Sequence, residues 1–235
     1  MMIEAISANS DSHRIAARIS QAIHEHRLAP GTKLSEEEVA GTFDVSRTIV
    51  RAALQRLAHD RLVELKRNRG AYVAQPTARE AREVFEARAL IEPRTARTAA
   101  ERAKPADIAS LRRHIDEEHA AMDEGDAGRA LYLSGLFHLE IARIADQATI
   151  AAFIGQLVAR SSLIIALYWE RRRALCESNS HHALLTALER KDGPQAEALM
   201  ASHLVDLLAS LDLQRQPTSA LSLKDALALS SARLR

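Results

Sequence analysis

The chain of 235 residues is predicted to be mainly α-helical, an N-terminal winged helix-turn-helix with a small β-hairpin followed by an all-α bundle. Three observations predict it. Before Pro76, two short helices with capping residues flank a tight turn, and two short strand-like runs follow. After Pro76-Thr77, only helical periodicity remains, punctuated by polar, Gly and Pro breaks. The basic residues are also uneven: Val45 to Gly70 holds seven Arg or Lys against two acidic residues, a local +5 in a chain of net charge +1. A basic patch on a near-neutral chain is the footprint of a duplex-binding surface, the alternative being a solvated charged face.

Each element has a local reason. Residues 11–26 place Ile15, Ile19, Ala22 and Ile23 on one helical face, and Ala29-Pro30-Gly31 breaks that helix. Ser35 with Glu38 three residues on reads as a capping box for a helix over 36–43. Asp44-Val45 is a turn, and Ser46 caps a helix over 47–59. A strand over 61–65, the polar turn Lys66-Arg67-Asn68-Arg69-Gly70 and a strand over 71–74 complete the hairpin. Helices are then expected over 78–102, 106–124, 127–145, 149–175, 179–191 and 194–213. These boundaries give a DNA-binding domain over 1–76, an effector-binding and dimerisation domain over 77–215, and a tail over 216–235. The tail has an apolar-periodic stretch at 220–234, either a docking helix or an extension.

Composition narrows the function. No run of 18 apolar residues suggests a transmembrane helix, and the first 17 residues lack the apolar block of a signal peptide. A lone Cys176 allows no intrachain disulfide and fits a reducing cytoplasm. Eight Phe, Trp and Tyr residues are few for a protein that stacks single-stranded bases.

The helix over 47–59 divides as a DNA-reading helix must. Val50, Ala53, Leu54 and Leu57 recur at i, i+3, i+4 and i+7 and should pack inward, leaving Arg47, Thr48, Arg51 and Gln55 opposite. Arginine can hold guanine O6 and N7 bidentately, and threonine can meet a phosphate or a thymine methyl. The helix N-terminus at Ser46 favours a phosphate. Lys66, Arg67 and Arg69 would reach the adjacent backbone or minor groove, with Gly70 allowing the tight turn.

Three histidines stand out of ten. His138 shares a stripe with Leu131, Ser134, Ile141 and Ala145, His181 heads one with Leu184, Leu185 and Leu188, and His203 lies with Ala196, Leu199, Met200 and Leu207. Each points inward from a different helix. A single inward histidine is usually a hydrogen-bonded core residue, whereas three on facing helices match the way bundles build metal sites, and neutral imidazoles suit zinc or nickel. His24, His26, His59, His114 and His119 read as surface residues, with His13 and His182 undecided. Arg88, on a stripe with Val84, Ala87, Ile91 and Thr95, needs a partner, either Glu92 one turn away or a carboxylate ligand. Tyr168 and Trp169 line the same cavity or a dimer contact.

The motifs Leu28-Ala-Pro-Gly-Thr-Lys-Leu34, Val45-Ser-Arg-Thr-Ile-Val-Arg-Ala-Ala-Leu54 and Arg67-Asn-Arg-Gly-Ala-Tyr-Val73 together resemble the GntR family of regulators over about residues 12–75. Ile49 stands where many relatives carry proline, and Glu37 where some place a DNA-contacting arginine. Residues about 79–210 resemble the FCD effector domain of the FadR-type branch, through Phe85-Glu-Ala-Arg-Ala-Leu-Ile-Glu92, Leu136-Phe-His-Leu-Glu-Ile141, His181-His-Ala-Leu-Leu-Thr-Ala-Leu188 and Met200-Ala-Ser-His-Leu204. The resemblance implies a metal site of one Asp and three His. The histidines fall on His138, His181 and His203, but the aspartate position is Ser134, a poorer ligand. It also implies that Arg88 faces the effector cavity.

The chain is therefore read as a homodimeric, sequence-specific transcription regulator, most simply a repressor. Its binding to a palindromic double-stranded operator would be modulated by a small organic acid or sugar acid near His138, His181, His203, Arg88 and Ser134. The rival reading is a metal-dependent enzyme with an accessory DNA-binding domain. No inward Glu or Asp near the histidines offers itself as a general base, which counts against the rival. A nonspecific architectural DNA binder, or a winged helix used only for protein contacts, are further alternatives.

Overall fold

The structure, a computed structural model, describes residues 2–169 and 175–214, with side chains over 11–169 and 180–214. The stretch expected to be helical at 220–234 lies outside the described residues. The chain divides into two compact units, Met1–Gln75 and Pro76–Gln216.

The first unit contains α1 (Met2–His24), β1 (Lys33–Leu34), α2 (Glu36–Phe43), α3 (Arg47–His59), β2 (Val63–Lys66) and β3 (Gly70–Val73). Ile15, Ile19, Ala22 and Ile23 of α1 are buried, as are Val50, Ala53, Leu54 and Leu57 of α3, and the two helices pack together. Eight such apolar side chains removed from water stabilise the unit by roughly 1–3 kcal/mol each before entropy is counted. Ser35 accepts the Glu38 amide, but only this half of the expected capping box forms. Asp44 ends α2 in the left-handed conformation at φ 52°, and the Ser46 hydroxyl accepts the Ile49 amide at the start of α3.

The sheet has three strands, not two, in the order β1-β3-β2, all antiparallel. Two-residue β1 is too short to show alternation, so the sequence pattern missed it. The hairpin strand β2 begins at Val63 because Arg61 is left-handed at φ 56°. Lys66 pairs with Gly70, and the loop between them turns through positive φ at Asn68 (59°) and Gly70 (88°).

The second unit contains α4 (Ala78–Arg102), α5 (Pro105–Asp123), α6 (Ala127–Ile144), α7 (Ala148–Tyr168), α8 (Leu175–Glu189) and α9 (Gly193–Ala209). Thr77 and Glu80 form a complete capping box on α4. Small side chains at Ala96, Ala99 and Ala100 let α9 lie close against α4, with Ala196, Met200 and Leu204 filling the seam. Leu111 and Ile115 of α5, Phe137 and Ile141 of α6, and Leu184 and Leu188 of α8 close the same core. The helix expected over 149–175 ends instead at Tyr168. Trp169 is extended there (ψ 133°) and forms an isolated bridge with Leu211, and the Tyr168 hydroxyl donates to the Pro76 carbonyl at 3.0 Å.

Although it holds no unbroken run of 18 apolar residues, α7 is long and apolar enough to cross a membrane by length and composition alone. Ile154, Val158, Ser161, Ile164, Ile165 and Tyr168 are buried, and the helix packs against α4 and α6. The buried share, 39% of its most apolar window, faces those two helices.

Candidate metal centre and nucleic-acid interface

On α3 the apolar spacing turns one face into the core and leaves Arg47, Thr48, Arg51 and Gln55 exposed along the other. Ser46 is exposed at the N-cap, and Lys66, Arg67, Arg69 and Gly70 are exposed at the hairpin turn. Lys66 is partly engaged: its Nζ lies 3.4 Å from Glu64 and 4.8 Å from the centre of the Tyr72 ring. Sequence reasoning missed the role of Glu36 in the first turn of α2. It accepts from Arg51 Nε at 3.1 Å and Nη2 at 2.8 Å, and Arg47 Nη2 lies 3.7 Å away. The Arg51 hydrogen bond is the main reason the Glu36 carboxyl titrates below its ordinary range. The two arginines of the outer face are thus held side by side on one carboxylate. The signal for this was Glu36's place at the N-terminus of the neighbouring helix, which only the packing of α2 on α3 makes meaningful.

In the bundle, α6, α8 and α9 bring His138, His181 and His203 together. All three are buried, and one ring nitrogen from each lies within 4.8 Å of the others. The Phe137 ring stacks on His181 with centroids 4.3 Å apart and fixes one wall. His138 Nδ1 meets Glu92 Oε2 at 2.7 Å, and His181 Nδ1 meets Glu118 Oε2 at 3.0 Å. A carboxylate accepts, so each imidazole carries its proton on Nδ1 and offers a bare Nε2. The Nε2 of His181 is buried with no hydrogen-bond partner. The Nε2 of His138 lies 3.3 Å from that of His203, so in this arrangement His203 donates to His138.

An orphaned, buried imidazole nitrogen and two histidines oriented by carboxylates fit a soft-to-borderline cation such as zinc or nickel. A cation shared by all three rings would require His203 to hold its proton on Nδ1. Burial first, then the neighbouring charges of His181, His138 and Arg88, lowers the His203 pKa well below the ordinary value. Burial also lowers that of His138, against the pull of Glu92. His138 and His203 are therefore kept neutral, the form a metal needs. Ser134 is half-buried one turn before His138 on α6.

Arg88 finds its structural partner. Its Nε meets Glu92 Oε1 at 2.5 Å and its Nη2 meets Oε2 at 3.3 Å, with both side chains about 3% exposed or less. Burial alone would raise the Glu92 pKa, but the Arg88 charge and the His138 contacts hold it at about 2. Arg88, Glu92 and His138 are thus one buried chain. Two inward carboxylates, Glu92 and Glu118, do lie near the histidines, although none was expected to offer itself there as a general base. Both were legible as inward positions, Glu118 from its spacing to Leu111, Ile115 and Ala121. Each is turned to a histidine Nδ1, which makes it an orienting group. Four of the histidines read as surface residues, His24, His26, His114 and His119, are partly buried, and of that group only His59 is exposed. His24 is half-buried, and His114 has an Nδ1 enclosed without a partner. Tyr168 is bonded to Pro76, and Trp169 lies beside a cavity.

A winged helix-turn-helix joined to a helical bundle with a polar, histidine-built centre defines a two-domain DNA-binding regulator. Comparison with known proteins makes this specific. Residues 11–73 match the bacterial regulatory proteins of the gntR family, and residues 83–206 match the FCD domain. The chain is 28% identical over 193 residues to the HTH-type transcriptional repressor RspR of Escherichia coli K12, covering 82% of this chain and 85% of that one. It is 29% identical over 210 residues to the galactonate operon transcriptional repressor of the same organism, covering 78% and 89%. A solved GntR transcriptional regulator from Rhodococcus sp. RHA1 superposes with a TM-score of 0.75 at 26% identity, covering 85% and 96%. The chain belongs to the GntR family of transcription regulators, in the group that carries an FCD domain. These relatives are regulators and not enzymes, so the metal-dependent enzyme is set aside.

Proposed function

We propose that the protein is a homodimeric, sequence-specific repressor whose two α3 helices enter successive major grooves of a palindromic operator. Arg47, Thr48, Arg51 and Gln55 read base edges, Ser46 and the helix N-terminus take a phosphate, and Lys66, Arg67 and Arg69 follow the backbone beyond the turn at Gly70. The observation that carries this reading is the division of α3, with Val50, Ala53, Leu54 and Leu57 buried and the four polar residues exposed on one face. On this reading residues 1–76 bind DNA, 77–215 bind effector and form the dimer, and the protein works in the cytoplasm.

The effector is a small carboxylate, and the relative named for the galactonate operon supports a sugar acid. It binds at the centre built from His138, His181 and His203, with Ser134 beside it and Arg88 behind. Zinc or nickel held by the three histidines would supply an open, positively charged coordination position there. With serine in place of a carboxylate at 134, three neutral ligands leave the full cation charge for an anion to answer. Effector binding shifts operator affinity by preferring one of two arrangements of the dimer. The test selects an operator from a random duplex library, then titrates it with and without sugar acids, on zinc-loaded and chelator-treated protein. A preference of about 10³-fold or more over unrelated duplex at matched salt, weakened by an acid only in the metal-loaded protein, is expected. Equal affinity for all duplexes would overturn the regulator reading.

A further inference from the structure

A cavity of about 150 Å³ lies in the bundle, apart from the histidine centre. Its walls are Met122, Ala127, Ala130, Leu131 and Trp169, and none of His138, His181, His203, Arg88 or Ser134 lines it. Glu118 is the one charged residue at its wall among the described residues. That side chain is 97% buried, accepts from His181 Nδ1 at Oε2, and has no second hydrogen-bond partner among the described residues. A carboxyl group so enclosed has room for a further donor, because burial of an incompletely paired polar group is costly. An apolar cavity of this volume accommodates a single six-membered ring.

We propose that this cavity is a ligand site for a small apolar molecule carrying one protonated amine, the ring held by Trp169, Leu131 and Met122 and the ammonium by Glu118. The chemistry differs from that of the histidine centre, which as proposed above takes an anion. The cavity is half open, but its mostly apolar walls shed water around Glu118, so an ammonium–carboxylate hydrogen bond is favoured there, whereas a carboxylate on the same ring would face Glu118 with like charge. Glu118 is shared between the cavity and His181. A bound amine would therefore act on the ring that Glu118 orients, and the two sites would be linked reciprocally. The inference rests on the reading of the bundle as an effector domain, and adds a second effector class to it.

The chain contains one tryptophan, Trp169, so its emission reports directly on the cavity. Benzylamine, benzyl alcohol and benzoate share one shape and differ in the head group. In the full-length protein, benzylamine should shift Trp169 emission saturably, with an affinity at least tenfold above benzoate and with benzyl alcohol between them. Ala127→Leu, which fills the cavity from the exposed N-terminus of α6 without touching the core, should abolish the shift. Glu118→Gln should remove the preference for amine over alcohol. Benzoate binding as well as benzylamine, no saturable shift, or an unchanged titration in the Ala127→Leu variant would each overturn the assignment. Operator affinity measured without these probes tests the regulator reading by itself. Failure of amine binding with operator binding intact overturns the cavity alone, and loss of operator preference with amine binding intact overturns only the regulator reading.

Discussion

The outer face of α3 and the centre of the bundle use the same ion pair in opposite surroundings. Arg51 and Glu36 share two hydrogen bonds, and so do Arg88 and Glu92. The Arg51 side chain is 58% exposed and the Arg88 side chain 3%. In water the first pair is weak and exchangeable, because solvent screens it and rehydrates either partner. In the core neither partner of the second can be released without leaving an uncompensated charge. The difference sorts their roles. On the proposed reading Arg51 trades its carboxylate for a guanine or a phosphate, whereas Arg88 is fixed and can only position Glu92 and, through it, His138.

The largest effect that would test this contrast is on stability. Glu92→Ala removes the acceptor shared by Arg88 and His138, and should cost about 3–5 kcal/mol in denaturant unfolding. Arg51→Ala should leave stability unchanged within about 0.5 kcal/mol. Combining Arg88→Met with Glu92→Leu should recover much of the loss, since packed apolar side chains replace a buried pair without leaving a charge. A loss below about 1 kcal/mol for Glu92→Ala would break the comparison.

His24 sharpens it from the other side, as a partly desolvated group inside the DNA-binding unit. Burial, then the nearby charge of His26, pushes it down to about 4, with Glu25 opposing. The unfolded chain, titrating near 6.5, binds the proton more readily than the folded one. Stability contributed by the neutral ring is therefore complete above pH 6.5, falls as the pH drops toward 4, and changes no further below. The full span is about 3 kcal/mol. Hydrogen exchange of the amides of α3 at pH 7.5, 5.5 and 4.5 should show this loss. His24→Gln should flatten it, and an unchanged slope in that variant would assign the pH dependence to other groups.

The same contrast explains what was legible in the sequence. Residues whose surroundings are set by their own helix could be read directly. Val50, Ala53, Leu54 and Leu57 were legible as core and Arg47, Thr48, Arg51 and Gln55 as surface, because period alone assigns a face. The inward turn of His138, His181 and His203 followed in the same way. Residues whose role depends on another element could not be read. Glu118 carried no reading until α5 was packed on α8, and Glu36 was an ordinary first-turn glutamate until α2 met α3. Strand β1 escaped because its two residues pair only through β3, and the end of α7 at Tyr168 because the apolar run continues past it.

Arg51 and Glu36 supply the two smaller effects, both read on DNA. Arg51→Ala should lower affinity for the selected operator by about 1–3 kcal/mol and relax preference at one base pair, while Lys66→Ala weakens all duplexes alike and reduces the salt slope by about one. Glu36→Gln is the finest test, because it removes charge without removing the side chain. In the free protein Glu36 holds Arg51 and draws Arg47 toward the same oxygen. Any duplex must break those contacts, and only a sequence that offers good base contacts to both arginines offsets the cost in full. Freeing the arginines should therefore raise affinity for unrelated duplex severalfold and for the operator less, so that the ratio between them falls. Titrations of both duplexes at one salt concentration measure that ratio. If both affinities rise by the same factor and the ratio is unchanged, Glu36 acts through simple repulsion of phosphate, and the discrimination lies wholly in Arg47 and Arg51.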